Sequence, residues 1–300
     1  MSYAYFGGCK IPYYLKHYET ATRAVLHHLD IRLNDMEFNC CGYPVRHRDE
    51  TASIFSAARN LALAARTRND ILTPCQCCFG HLKYARFRLQ KDASLRQMAN
   101  RHLAAEGLEW RPDVDVHHLL SVLFHDVTAG AIAERVRRPL DGLKIAAHYG
   151  CHALRPGHIT GFDNPLAPTL FETLVNATGA ESIAWSKRLE CCGNPLWGKN
   201  DPLALHLMTQ KIDNAFEAGA DAICTACTHC QIQFESVRRG QPRQQKPEDT
   251  RPAILYIHLL GWSLGLTEPE LGWDKTDRIR QLMMSASHHP PLTRSEEAVS

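Results

Sequence analysis

Short apolar runs alternate with longer stretches in which apolar residues recur every three or four positions, and the chain runs through this alternation twice. Ser2 to Phe6 is aromatic and bounded by Gly7-Gly8, which predicts a buried strand ending at Cys9. Tyr18, Ala21, Val25 and Leu29 then keep helical spacing across 14–29. Met36 to Asn39 reads as a second strand delivering Cys40 and Cys41, where Gly42 and Pro44 break the chain. Ile54, Ala58, Leu61 and Ala65 place a helix over 49–66. Asp70 to Thr73 is a third strand, stopped by Pro74 just before Cys75, and Cys78, Leu82, Ala85 and Leu89 put Cys78 at a helix start. Asp113 to Val116 reads as a fourth strand running into a helix over 118–124.

The second half repeats the plan. Leu143 to Ala147 is a strand before Cys151, and Leu166, Leu170, Leu174 and Ala177 mark a helix. Ser182 to Trp185 is the strand before Cys191-Cys192, with a longer approach than in the first half. A helix through Leu205, Met208, Ile212 and Ala215 leads to a strand at 221–223, and a strand at 254–256 with a helix at His258 closes the unit. Strands alternating with helices imply parallel βαβ units with the cysteines at the carboxyl ends of strands, where open α/β sheets place their sites. The expected fold is therefore α/β: two tandem duplicated units, each a small, mostly parallel sheet flanked by helices, Rossmann-like and related by pseudo-two-fold symmetry. The expected boundaries are 1–140 and 141–275. Residues 240–251 read as a polar loop and 276–300 as a polar, flexible tail.

The repeat is sharpest in the cysteines. All twelve fall into two copies of one frame. The first is Cys9, then Cys40-Cys41-Gly42-Tyr43-Pro44, then Cys75-Gln76-Cys77-Cys78; the second is Cys151, then Cys191-Cys192-Gly193-Asn194-Pro195, then Cys224, Cys227 and Cys230. Five positions are shared: one cysteine alone, an adjacent pair, and a C-x-x-C. Cys77 and Cys224 do not superpose, and burial accounts for both.

Composition narrows the chemistry. A net charge of +2 is too small a bias to point to nucleic acid or an anionic membrane. No run of about 18 apolar residues spans a bilayer, and the N-terminus has neither the basic start nor the apolar core of a signal peptide. A cytoplasmic location is expected, where a dense cysteine pattern marks a metal or redox site more often than a disulfide framework. Four readings of the cysteines compete: buried small hydrophobes, disulfides, structural zinc and iron–sulfur ligation. Zinc accepts four thiolates, which sits poorly with a fifth equivalent cysteine in each half. Iron–sulfur ligation fits better, because several irons use more thiolates than one zinc ion accepts.

The two frames resemble the CCG domains found in the B-type subunits of heterodisulfide reductase. The likeness runs from Met1 to about Gly265 and includes His148-Tyr149-Gly150-Cys151-His152, Asn164-Pro165 to Thr178-Gly179-Ala180, Ala218-Gly219-Ala220-Asp221 and Leu259-Leu260-Gly261. The resemblance implies two noncubane [4Fe–4S] clusters, one on Cys9, Cys40, Cys41, Cys75 and Cys78, the other on Cys151, Cys191, Cys192, Cys227 and Cys230. It implies an oxidoreductase acting on sulfur groups, in which two facing clusters exchange one electron each while an S–S bond is made or broken. Catalytic work falls to the second set of cysteines, with His148, His152 and Lys199 as neighbours able to supply hydrogen bonds or protons.

Where members acting on methanogen heterodisulfide carry a glycine run after the second pair, this chain has Asn194-Pro195-Leu196-Trp197-Gly198. Bulky residues there argue against that substrate. The related sulfur-oxidising type, which handles sulfane sulfur or carrier-bound persulfide, is the expectation. Methanogen-type reduction is an alternative, as is an electron relay in quinone-linked oxidation of lactate, glycolate or succinate. The cysteines leave none over for a ferredoxin domain, so the resemblance implies a ferredoxin-like C-type subunit and a flavoprotein A-type subunit as partners.

Overall fold

The computed structural model describes residues 1–237, 251–273 and 281–284. Its first half forms a parallel sheet of β1 (Ser2–Tyr5), β2 (Arg32–Asn34), β3 (Ile71–Thr73) and β4 (Val116–His118), in the order β2-β1-β3-β4. The second half repeats it with β5 (Lys144–His148), β6 (Glu181–Ser182), β7 (Ala222–Thr225) and β8 (Ala253–Leu255), in the order β6-β5-β7-β8. β3 and β7 are buried throughout, as befits inner strands of a parallel sheet covered by helices. The chain leaves β1 toward one edge and returns to its other side, so the crossover direction reverses between β1 and β3. Ligands of open α/β sheets bind at that reversal. Cys9 follows β1 and Cys75 follows β3; Cys151 and Cys227 stand in the same places after β5 and β7.

Local chemistry explains the main helices. Asp49 caps Glu50–Thr67 by accepting from the Ala52 amide at 2.9 Å, and Asn200 caps Asp201–Glu217 by accepting from Leu203 at 3.2 Å. Such a cap contributes about 1 kcal/mol. Cys75 and Cys227 occupy the matching cap positions of Gln76–Lys91 and Thr228–Ile232 without a capping hydrogen bond of their own.

Several boundaries differ from the sequence expectation. The second strand is Arg32–Asn34 rather than 36–39: Met36 and Phe38 turn inward and Phe38 packs on Phe6 at 5.1 Å, but their backbone joins no ladder. The fourth strand is Val116–His118 rather than 113–116, and His118, its last residue, also caps the helical turn Leu119–Val122 that follows, next to the expected helix start. The first helix is broken at Leu15 into Ile11–Tyr14 and Lys16–His28. The strand before the second pair is only Glu181–Ser182. Residues 240–250 of the expected polar loop and most of the expected tail lie outside the described residues; within the tail, Met283 is buried.

The halves pack with the carboxyl ends of their sheets facing one another. Cys75 meets Cys227, its equivalent in the other half, as a two-fold arrangement requires. His118 clamps the seam: its Nδ1 accepts from the Leu120 amide at 3.2 Å, which leaves Nε2–H to donate to the Ala226 carbonyl at 3.0 Å. Gly80 lies against the backbone of His152, where a Cβ would stand 2.5 Å from the carbonyl oxygen. Farther out, Gly261 of the helix Tyr256–Ser263 meets Val25 of Lys16–His28.

Candidate metal centre

The glycine after each cysteine pair fixes the turn that presents the thiols. Gly42 has φ +93° and Gly193 φ +88°, a region that residues with a Cβ enter at a cost of about 1–2 kcal/mol. A Cβ on Gly42 would lie 2.3 Å from the Ser53 carbonyl oxygen, and one on Gly193 2.4 Å from that of Ala204. Each glycine therefore lets the C-C-G turn rest directly on the first turn of the following helix.

In the first half Cys9 Sγ lies 3.9 Å from Cys40 Sγ, Cys40 meets Cys41, Cys41 meets Cys78 and Cys78 meets Cys75. In the second half Cys151 meets Cys191, Cys191 meets Cys192, Cys192 meets Cys230 and Cys230 meets Cys227. The structure thus brings together all ten cysteines that sequence assigned, five to a half and in the same sequence of contacts. Thiol–thiol hydrogen bonds decide their protonation. Those from Cys41 and Cys9 pull Cys40 down to about 2, and those from Cys151 and Cys192 pull Cys191 down to about 2, while Cys41 is pushed up by Cys40 and Cys192 by Cys191. Cys75 is pulled down as well, by the thiols of Cys227, Cys77 and Cys78, so each group holds thiolate character suited to a soft cation.

The groups join at Cys75, Cys227 and Cys77. Cys77 Sγ lies 4.0 Å from Cys227 Sγ and 3.6 Å from His152 Nδ1, and His152 Nδ1 is also 3.3 Å from Cys151 Sγ. Two clefts open beside this seam. The larger, about 540 Å³, has Lys10, Tyr14, Tyr43, Trp197, Lys199 and His229 in its wall; the smaller, about 350 Å³, has Arg46, His81 and His152. Lys10, Tyr43, Pro44 and His229 also line an inner pocket walled by Cys9, Cys41, Cys75, Cys77 and Cys78. Tyr43 packs edge-on against His152 at 4.8 Å and carries the Arg46 guanidinium over its ring at 4.1 Å. Its hydroxyl is buried and has no hydrogen-bond partner.

The three non-cysteine candidates separate. His148 is fully buried with Nε2 3.3 Å from Cys230 Sγ, and its ring stands with Cys192 and Cys230 as donors all within 4.8 Å of one another. His152 touches Cys151 and Cys77. Lys199 lines the larger cleft, and its ammonium makes no hydrogen bond to a sulfur among the described residues. Cys224 is a core residue of β7, its thiol pushed up by burial alone. Cys77 is buried too, but it sits at the seam, which spacing alone could not reveal. Tyr43 and Lys211 are further site residues missed in the sequence; Tyr43 was legible, since it directly follows the first C-C-G.

The donor set fits an iron–sulfur group. Each half offers five thiols in contact, one beyond the four of a structural zinc site, and all twelve cysteines are free. Gly8 leaves room where a Cβ would come within 3.0 Å of Cys78 Sγ, a cradle next to the sulfurs.

A parallel α/β pair with duplicated thiol groups at its switch points defines a cysteine-rich redox module. The cysteine-rich domain model named CCG matches residues 3–83 and again 145–235, and the chain belongs to that family, with two copies of the domain. The chain is 32% identical over 273 residues to the B subunit of the ferredoxin:CoB-CoM heterodisulfide reductase of Methanosarcina mazei, covering 89% of this chain and 90% of that protein. It is 31% identical over 272 residues to the 8-methylmenaquinol:fumarate reductase membrane anchor subunit of Wolinella succinogenes, covering 90% and 94%. A protein of Archaeoglobus profundus, likewise described as similar to the B subunit of heterodisulfide reductase, is 29% identical over 279 residues, covering 90% and 92%. A crystal structure of a hypothetical protein from Helicobacter pylori superposes with a TM-score of 0.73 over 91% of this chain and 51% of that one; at 14% identity this is a likeness of fold. The protein is thus an iron–sulfur redox subunit of the heterodisulfide reductase B-like kind. Among the described residues no helix is long and apolar enough to cross a membrane.

Proposed function

We propose that this chain is the catalytic iron–sulfur subunit of a cytoplasmic heterodisulfide-reductase-like complex that makes or breaks S–S bonds. In this reading one noncubane [4Fe–4S] cluster rests on Cys9, Cys40, Cys41, Cys75 and Cys78, and the other on Cys151, Cys191, Cys192, Cys227 and Cys230. Catalytic work falls to the second set. The observation that carries the reading is the meeting of the two thiol groups at Cys75 and Cys227, beside a cleft. Joining two thiols into a disulfide releases two electrons and two protons; paired one-electron centres would take one electron each, without a free sulfur radical, which is the chemistry the clusters would supply, while the protons leave through the chain's own groups and solvent. The chain's own residues do the rest. The larger cleft admits the sulfur compound, Lys10 and Lys199 hold its rim positive, and Trp197 and Tyr14 give it apolar walls. Tyr43 offers an unspent hydroxyl at the seam, and His152 stands against Cys151 as a proton carrier. A ferredoxin-like C-type subunit and a flavoprotein A-type subunit take the electrons onward.

Oxidation of sulfane sulfur or a carrier-bound persulfide is the favoured direction, because Trp197 follows the second pair and lines the cleft where a glycine run would leave it bare. The Wolinella relative supports a second reading, an electron relay for a quinone-linked oxidation, with association to a membrane through other subunits. The test is titration of the anaerobically purified protein with persulfide and disulfide compounds, followed by electron paramagnetic resonance. A changed cluster signal supports sulfur chemistry. A signal indifferent to every sulfur compound, yet reduced by a quinol through partner subunits, supports the relay.

A further inference from the structure

The two halves match closely enough that their differences are informative, and two differences fall on the same centre. Three residues before its lone cysteine the second half has His148 where the first has Phe6, and both are fully buried. Phe6 offers no polar atom. His148 points Nε2 at Cys230 Sγ from 3.3 Å, and its Nδ1 has no partner at all, so the ring's only polar engagement is with that sulfur. A cluster-bound thiolate can only accept, so with Cys230 as a ligand the ring hydrogen belongs on Nε2, aimed at the sulfur.

Twenty residues after the first cysteine of each pair, the second half has Lys211 where the first has Asn60. Asn60 is neutral and spent on backbone: its Oδ1 accepts from the Asn39 amide at 3.0 Å and its Nδ2 donates to the Cys40 carbonyl at 3.2 Å. Lys211 is fully buried, donates to the Lys187 carbonyl and lies 4.8 Å from the Trp185 ring centroid. No carboxylate pairs with it among the described residues; Glu190, whose charge acts on it from a distance, is bridged to Lys187 at 3.1 Å. Burial pushes its pKa down to about 8, against the pull of Cys192 and Cys230. A buried ammonium without a carboxylate is costly unless another negative group faces it, and the sulfurs of the second centre are that group. The first half has its own imidazole near Cys40, His81, but its Nε2 is engaged with the Ser53 carbonyl at 3.3 Å rather than with a sulfur.

We infer that His148 and Lys211 raise the reduction potential of the second centre, so that an electron entering the pair is held there in preference to what the bare cysteine frame would allow. Hydrogen bonds to cluster sulfurs and nearby positive charge both favour the more negative, reduced form. Half-exposure of Cys9 stabilises charge at the first centre by solvation, which is why the inference is tested within one centre across variants and not between centres. It rests on the two-cluster reading above.

The experiment is a redox titration followed by electron paramagnetic resonance on the full chain, purified without oxygen, with iron and sulfide measured on each sample. The variants are His148→Phe and Lys211→Asn, which install the first half's own residues, their double, and Lys211→Arg. One of the two midpoints is expected to move negative in each single variant and farther in the double, the other staying put; Lys211→Arg keeps the wild-type value. Should His148→Phe lose iron, Lys211→Asn decides alone, because Lys211 touches no sulfur directly. Unmoved midpoints in Lys211→Asn with full iron overturn the inference, as does an equal shift of both centres. Failure of the two-cluster reading is seen separately, as a wild-type protein carrying the iron of one cluster only.

Discussion

The sulfur of Cys77, a residue outside the shared five-cysteine frame, lies 4.0 Å from that of Cys227, a frame residue of the opposite half. Its counterpart as an odd cysteine, Cys224, has no such neighbour and sits inside β7. The two should therefore respond differently to replacement. Cys224→Ala is expected to keep full iron content and cost about 1 kcal/mol of stability as a small core truncation. Cys77→Ala is expected to keep its iron but to alter the magnetic resonance signal of both centres, because Cys77 contacts Cys75 as well as Cys227. Cys41→Ala, within the frame, is expected to lose about half of the iron. Iron analysis with resonance spectra on the three variants checks the set.

Gly42→Ala and Gly193→Ala each add a Cβ to a residue in the left-handed region and against a carbonyl oxygen. Each is expected to destabilise the fold by at least about 1–2 kcal/mol and to lower the iron content of its own half. Gly107, also at positive φ, has nothing within 4 Å of an added Cβ and serves as the comparison: Gly107→Ala carries the backbone cost without the clash and leaves iron untouched. Thermal melts and iron content separate the two effects.

Much of this was legible in the sequence, and the reasons are specific. Inner parallel strands such as β3 and β7 are buried throughout, mostly apolar, and end two residues before a frame cysteine, so their positions could be read to within a residue or two. The edge strand β2 could not: Arg32-Leu33-Asn34 is largely exposed and polar, whereas Met36 and Phe38 alternate because they face the core. Alternation reports burial of a face, not membership of a ladder. The ten frame cysteines came from spacing, since duplication repeats their order. The role of Lys211 did not, because a lysine within a helix between apolar positions reads as a solvent-facing residue until the fold shows it buried.

Tyr43 and its orphaned hydroxyl give a prediction in which stability and function part. Tyr43→Phe removes a buried hydroxyl that makes no hydrogen bond, so the fold is expected to keep its stability or gain up to about 1 kcal/mol. Turnover of a sulfur substrate is expected to fall several-fold, with KM raised more than kcat is lowered if the hydroxyl holds the ground state. Parallel melts and steady-state kinetics measure both.

Two seam and core histidines predict the pH dependence. Burial lowers His118 to about 4 and His258 to about 3, against 6.5 when unfolded. The unfolded chain then binds more protons than the native one between these values, so stability is complete above about pH 6.5 and is lost as pH falls below it, at up to about 1.4 kcal/mol per unit for each histidine. Denaturant unfolding at pH 7.5 and 5.5 checks the sign. His118→Asn is expected to flatten the slope, at the expense of the seam bond to Ala226.

The most direct test of the account is the iron, acid-labile sulfide and zinc content of the full chain purified without oxygen. Two four-iron clusters require about eight irons per chain with matching sulfide, and that is the expected result. Zinc in place of iron would contradict it, leaving the duplicated thiol groups as structural sites; about four irons would mean that only one of the two groups is a cluster and that the paired-centre chemistry is wrong.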